Sequence, residues 1–165
     1  MKVFTNRLII KPLEKPDLDT LVSEVNNFNI AKYVVHIPHP YSLEDAKNYY
    51  ERSLGNEYRN NIYYEGKLIG AIGLNQKEPG ILEVGYWIGE NHWRQGFATE
   101  AVQGIINYLK SNSPDVKKLV ANYVFGNEGS GKVLERCGFK TVGTSEVYML
   151  SQDKNLPTTL VELSL

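Results

Sequence analysis

The stretch Trp93-Arg94-Gln95-Gly96-Phe97-Ala98-Thr99-Glu100-Ala101 decides how this chain reads. It follows a β-rich run, Ile81 to Gly89 (ILEVGYWIG). It opens a helix predicted over Phe97 to Asn112, with Phe97, Ala101, Ile105, Tyr108 and Leu109 along one stripe. A turn from strand into helix presents free backbone N–H groups and the positive end of the helix dipole, which together hold anions. Gly96 removes a Cβ where an anion must approach the backbone. Ala98 keeps the next turn small, and Arg94 adds a cation beside the loop. The amides of Gln95 to Thr99 would then wrap a pyrophosphate. The spacing lacks the GxGxxG of dinucleotide folds and the Gly-Lys-Ser/Thr of a P-loop. It also fits a plain helix start in which glycine merely breaks the loop.

Working outward, the segments on either side alternate between strand and helix. Arg7 to Pro12 reads as a first strand ended by proline. Asp17 to Asn26 reads as a helix, with Leu18, Leu21, Val22 and Val25 on one face, and Asn29 to Val35 as a short one. The prolines of HIPHPY demand a loop. Ser42 and Asp45 resemble a capping box opening a helix to about Leu54. Asn61 to Tyr64 and Lys67 to Leu74 form a hairpin around a tight Glu65-Gly66 turn, and the Ile81 run extends it into an antiparallel meander. Leu119 to Phe125 reads as a buried strand, Glu128 to Cys137 as a helix stopped by Gly138, and Lys140 to Val147 and Thr159 to Leu165 as closing strands. The alternation from Ile81 onward predicts a mixed α/β (α+β) sheet.

Composition narrows the function classes. The chain has 165 residues, 42% of them apolar and 22% charged, an ordinary globular balance that fits one domain over residues 1–165. The net charge of -1 gives no basic field to draw nucleic acid or membrane. No stretch reaches the ~18 apolar residues of a spanning helix, and the N-terminus does not read as a signal peptide. A single cysteine, Cys137, excludes an intramolecular disulfide and fits a cytoplasmic location. Eleven tyrosines against five phenylalanines put polar tips on apolar walls, as a lined pocket needs and as ordinary strands also show.

The central motif resembles the acyl-CoA signature of the GNAT N-acetyltransferase superfamily, Gln/Arg-x-x-Gly-x-Gly/Ala, filled here by Trp93 to Ala98. Trp93 departs at the first place, and the branch of ribosomal-protein N-terminal (Rim-type) acetyltransferases commonly has tryptophan there. Four further features match that branch in order: Thr5, Arg7 and Leu8; Gly85-Tyr86-Trp87; Ala98 to Ala101; and Asn127, Ser130, Arg136, Gly138 and Phe139. The resemblance implies a mostly antiparallel central sheet of about seven strands flanked by helices and splayed at the acyl-CoA site. It implies transfer of acetyl from acetyl-CoA, as cosubstrate, to a primary amine by direct attack in a ternary complex. The acceptor is a protein N-terminus or a small-molecule amine.

Residue by residue, the resemblance sets the pantetheine arm beside Trp87 and Ile88, in a gap where the strand bulges and splays from its neighbour. It sets the pyrophosphate on Arg94, Gln95, Gly96, Phe97, Ala98 and Thr99. Asn127 matches an asparagine that bonds the pantetheine arm, and asparagine is also a strong N-cap for the helix at Glu128. The family tyrosine that protonates the leaving thiolate falls on Leu134, so Ser130 is the substitute acid. Glu83 stands near the family's base carboxylate, with its distance from the loop differing by one from some relatives. Glu146 and a route through water are alternatives. Tyr33, His36, His39 and Tyr41 are implied near the acceptor. Three separated histidines without companion cysteines give no metal site. A homodimer is common among such proteins. The competing reading is a non-catalytic acyl-CoA-binding module that keeps the cradle and lacks the chemistry.

Overall fold

In the computed structural model, which describes residues 1–165, the chain opens with a hairpin of β1 (Val3–Phe4) and β2 (Leu8–Lys11). A 3-10 turn at Lys15–Asp17 leads into α1 (Leu18–Val25), whose Leu18, Leu21 and Val25 are buried as their helical spacing predicts. Asn27 caps α2 (Phe28–Ala31) by accepting from the Asn29 N–H at 2.9 Å. This helix is one turn long and stops short of the expected Val35. Beyond it the chain continues in i→i+3 turns, Tyr33 N–H to Ile30 (3.0 Å) and Val34 N–H to Ala31 (3.3 Å), and the Ala31, Lys32 and Val35 carbonyls also accept from the Ser151 hydroxyl (2.8 Å), the Gln152 amide (3.1 Å) and the Leu150 N–H (3.3 Å). The capping box forms as read. Ser42 Oγ accepts from the Asp45 N–H at 3.2 Å, Asp45 accepts from the Ser42 N–H at 2.8 Å, and α3 (Leu43–Ser53) follows.

The meander comprises β3 (Arg59–Tyr64), β4 (Lys67–Glu78) and β5 (Ile81–Ile88). Glu65 and Gly66 at its first turn both have positive φ (49° and 77°), the geometry of a two-residue hairpin loop. Beyond a 3-10 turn at Glu90–His92 come α4 (Phe97–Asn112), β6 (Lys118–Val124), α5 (Glu128–Arg136), β7 (Lys140–Met149) and β8 (Lys154–Ser164). One eight-stranded sheet results, in the order β1-β2-β3-β4-β5-β6-β8-β7. Every neighbouring pair is antiparallel except β5 with β6. The strand beyond the expected count is β1, which has only two residues and so shows no alternation to read. No helix is long and apolar enough to cross a membrane.

The sheet separates two apolar layers. Leu82, Val84 and Ile88 of β5 join the layer under α4 and α5, with Ile105, Leu109, Leu119 and Leu134. Trp87, on the opposite face, joins the layer under α1–α3 with Leu21, Ile30 and Ala46. Gly104 lets the N-terminal hairpin lie close on α4, because a Cβ there would stand 2.6 Å from Thr5 Cγ2. Gly104→Val is therefore expected to destabilise the fold by roughly 1–3 kcal/mol through overpacking. Thermal unfolding checks this, and an unchanged melting temperature would contradict the close packing.

Candidate active site

The parallel pair is where the sheet opens. β5 and β6 are in register only at Ile81–Lys118, Leu82–Leu119 and Glu83–Val120. From there β6 is held by β8, with partners continuing from Lys118–Ser164 to Val124–Thr158. Val84 to Ile88 thus keep β4 on one side and have no strand partner on the other. The bulge expected in this strand is absent: β5 stays in unbroken register with β4 from Leu82–Gln76 to Ile88–Gly70, and the only shift lies between Gln76 and Glu78. The divergence comes from β6 following β8. The Ile88 carbonyl is also occupied, accepting from the Trp93 indole N–H at 2.6 Å. That bond ties the loop back to the strand, which gives tryptophan at the first motif position a structural use.

At the end of the opening, the chain turns through Arg94 (φ 60°) and Gly96 (φ 81°), both left-handed, into α4. The glycine is required by this dihedral. A Cβ added to it would meet nothing nearer than 3.5 Å, so crowding by the protein is not the reason. Asn27, Ser42 and Asn127 cap α2, α3 and α5 with side chains, whereas α4, at 16 residues, has no side-chain cap. Its first N–H groups therefore have no acceptor within the helix. Arg94, Gln95 and Gly96 are exposed, and Ala98 and Thr99 half-buried. The Phe97 ring is buried against Tyr64, centroids 4.7 Å apart, so this residue can offer a ligand only its main chain.

On the α5 side, Asn127 Oδ1 accepts from the Ser130 N–H at 3.2 Å, so the N-cap role is realised. Ser130 Oγ stands 2.9 Å from the Tyr86 hydroxyl, which reaches across from β5. Burial raises the pKa of Tyr86, and the hydrogen bond with Ser130 pulls the other way. Leu134 is in the core, so no hydroxyl comes from that position. Cys137 is buried, donates weakly to the Thr99 carbonyl (3.6 Å), and burial pushes its thiol up to about 11. A thiol in this state is a poor nucleophile at neutral pH.

Glu83 lies on the other face, the face of Trp87, because β5 residues alternate without interruption. Its Oε1 accepts from Asn122 Nδ2 (2.8 Å) and its Oε2 from Lys77 Nζ (3.2 Å). A carboxylate has about four acceptor positions, so these two bonds leave capacity on both oxygens. Glu83, Asn122, Lys77, His36 and Ser145 line one cleft of about 510 Å³. Glu146 is on its rim and exposed. Ser145 pairs with Thr158, which pairs with Val124, on the face of Asn122; Glu146, the next residue along, alternates to the opposite face. Of the four residues implied near an acceptor, His36 alone lines the cleft. His39 is exposed and rests on Phe28, centroids 5.5 Å apart. Tyr33 is half-buried with Lys32 Nζ over its ring at 5.1 Å. Tyr41 is buried in the layer under α1–α3, where desolvation raises its pKa. Its aromatic body completes a core.

Sequence reasoning gave no role to Tyr86, Asn122 or Lys77. Asn122 had a signal, a lone amide inside the apolar strand LVANYV. Tyr86 stood in the Gly85-Tyr86-Trp87 match but was given no role, since tyrosine is at home in any strand.

The arrangement pairs an uncapped helix end with an opened parallel strand pair, hydroxyls on one face and a carboxylate on the other. Comparison with known proteins agrees with this geometry. The chain is 28% identical over 155 residues to an uncharacterized N-acetyltransferase p20 of Bacillus licheniformis, covering 88% of this chain and 86% of that protein. Over 80 residues it is 35% identical to the ribosomal-protein-serine acetyltransferase of Escherichia coli (strain K12), covering 47% and 44%. It superposes on RimL, a ribosomal L7/L12 α-N-protein acetyltransferase solved with coenzyme A, with a TM-score of 0.85 at 15% identity over 100% of this chain and 98% of that one. The acetyltransferase (GNAT) domain matches residues 7–140. The chain therefore belongs to the GNAT acetyltransferase family and is an acyl-CoA-dependent acetyltransferase.

Proposed function

We propose that this enzyme transfers acetyl from acetyl-CoA to a primary amine, a protein N-terminus or a small-molecule amine, by direct attack in a ternary complex. One observation carries the reading: the opening between β5 and β6 runs directly to the uncapped start of α4. In this reading the pyrophosphate lies on the amides of Gln95 to Thr99 and the pantetheine arm lies along Val84 to Ile88. Arg94 adds charge and Asn127 an amide. Ser130, supported by Tyr86, is at the thioester on the α5 face. The acceptor enters the cleft of Glu83 and His36 on the opposite face.

The amine lone pair attacks the thioester carbonyl, the C–N bond forms and the C–S bond breaks. The ammonium proton passes to Glu83 or to water, and the thiolate takes a proton from the Ser130 hydroxyl as Ser130 recovers one from solvent. A tetrahedral intermediate needs no enzyme nucleophile. The buried Cys137, the chain's only cysteine, supports transfer without an acyl-enzyme. The ribosomal-protein relatives favour a peptide N-terminus among the acceptors.

Acetyl-CoA is expected to raise the melting temperature, since mass action gives ~2.7 kcal/mol at one hundred times the dissociation constant. Thiol release from acetyl-CoA, screened over peptide N-termini, polyamines and amino acids, then tests the chemistry. A thermal shift without release under any acceptor would favour the non-catalytic binding module. No shift at millimolar acetyl-CoA would overturn the cradle.

A further inference from the structure

The N-terminal hairpin reaches the anion loop through contacts that none of the roles above uses. Arg7 donates Nη1–H to the Gln95 carbonyl (3.1 Å) and Nε–H to Glu100 Oε2 (2.7 Å). The Arg7 main-chain N–H and the Thr5 hydroxyl each donate to Glu100 Oε1 at 2.6 Å. The guanidinium lies over the Phe97 ring, 4.4 Å from its centre. Its Nη2 is 3.5 Å from where a Cβ on Gly96 would stand. One side chain therefore touches Gln95, Phe97 and Glu100 and stands beside Gly96, the residues that turn the chain into α4.

Each contact bears on anion binding. A carbonyl pointing into an anion site repels the anion, and the bond to Arg7 fixes where the Gln95 carbonyl points. Arg94 and Gly96 occupy the left-handed region, which non-glycine residues hold only when their surroundings impose it. Glu100 lies in the first turn of α4, where its charge would oppose a phosphate unless paired. Burial pushes its carboxyl up, but the bonds from Thr5 and Arg7 outweigh burial and hold it below the usual carboxylate range. It is therefore charged at neutral pH, and Arg7 balances it.

We propose that Arg7 is a positioning residue for the pyrophosphate of acyl-CoA: it fixes the loop around the outward-facing α4 amides, neutralises Glu100 and keeps a cation at the mouth of the cradle. The proposal rests on the cradle reading above and adds a component from the opposite end of the chain. It also gives the separated Thr5/Arg7 and Glu100 matches one shared purpose.

The test is calorimetric titration of coenzyme A into the full chain at low and high salt, with inorganic pyrophosphate as competitor. The wild type, Arg7→Lys and Arg7→Met are compared, and each unliganded melting temperature is recorded. Arg7→Met is expected to weaken coenzyme A about tenfold or more, the scale of a charge-assisted hydrogen bond, and to flatten the salt dependence. Arg7→Lys keeps the charge but loses the planar fork, so it is expected to retain the salt dependence with intermediate affinity. It gives the reading alone should Arg7→Met fail to fold. Folded variants that bind coenzyme A with wild-type affinity and salt dependence would overturn the role of Arg7 and leave the cradle standing. Lowered melting temperatures with unchanged binding would likewise reduce Arg7 to a brace. A wild type whose coenzyme A binding ignores both salt and pyrophosphate would overturn the cradle itself, and the proposal with it.

Discussion

Gly96→Val is expected to abolish acetyl-CoA binding while leaving most of the fold in place. Gly96 sits at φ 81°, a conformation that costs an ordinary L-residue roughly 1–2 kcal/mol, and a β-branched residue is a clear outlier there. The loop must leave its present path to accept valine, and the α4 amides then no longer converge on one point. The Phe97 ring and the α4 stripe behind it are deep in the core, so the helix itself is retained. A loss of a hundredfold or more in affinity, about 2.8 kcal/mol, should accompany a near-native circular dichroism spectrum. A folded variant that binds acetyl-CoA normally would refute the cradle at this position.

The second large effect concerns proton transfer. General acid or base groups typically contribute ~10²–10⁴-fold. Ser130→Ala is expected to lower kcat on that scale with little change in acetyl-CoA affinity. Glu83→Gln behaves differently because its partner is the amine. Turnover should fall most at low pH, where the amine is mostly protonated, and the two enzymes should converge at high pH, where the free amine needs no base. An unchanged pH–rate profile would remove Glu83 from the mechanism and shift the role to solvent. Glu146 gains little from that outcome, because alternation along β7 turns its side chain from Glu83's face.

Much of the fold was legible because local signals agreed. The Glu65-Gly66 turn, the Ser42 capping box and the α4 stripe were each read from a few residues and formed as read. Where the reading fell short, the decisive contact was distant in sequence. α2 is shorter than its pattern, the chain tightening into i→i+3 turns after Ala31 where Ser151 and Gln152 dock on its carbonyls. Strand β8 starts at Lys154, ahead of the apolar run at Thr159, because its first residues pair only with β7. The opening at β5 was inferred from resemblance with the wrong cause, a bulge, since no residue of β5 records that β6 will follow β8. Tyr41 shows the limit for site residues. His36 in the same segment lines the cleft, yet the ring of Tyr41 faces the core, and a loop with two prolines has no periodicity from which to read direction.

The bonds from Leu150, Ser151 and Gln152 back to Ala31, Lys32 and Val35 also join the two ends of the chain's sequence. The meander of β3 to β5 closes through neighbours in sequence, whereas β2 reaches β3 across the whole α1–α3 segment, and local pairings cost less loop-closure entropy. Three bonds on the segment that leads to His36 come from the β7–β8 turn, 120 residues downstream of the carbonyl that Ser151 bonds. In a nascent chain these bonds are expected to form only once the last strands are made, whereas the β5-to-α4 turn precedes them in sequence.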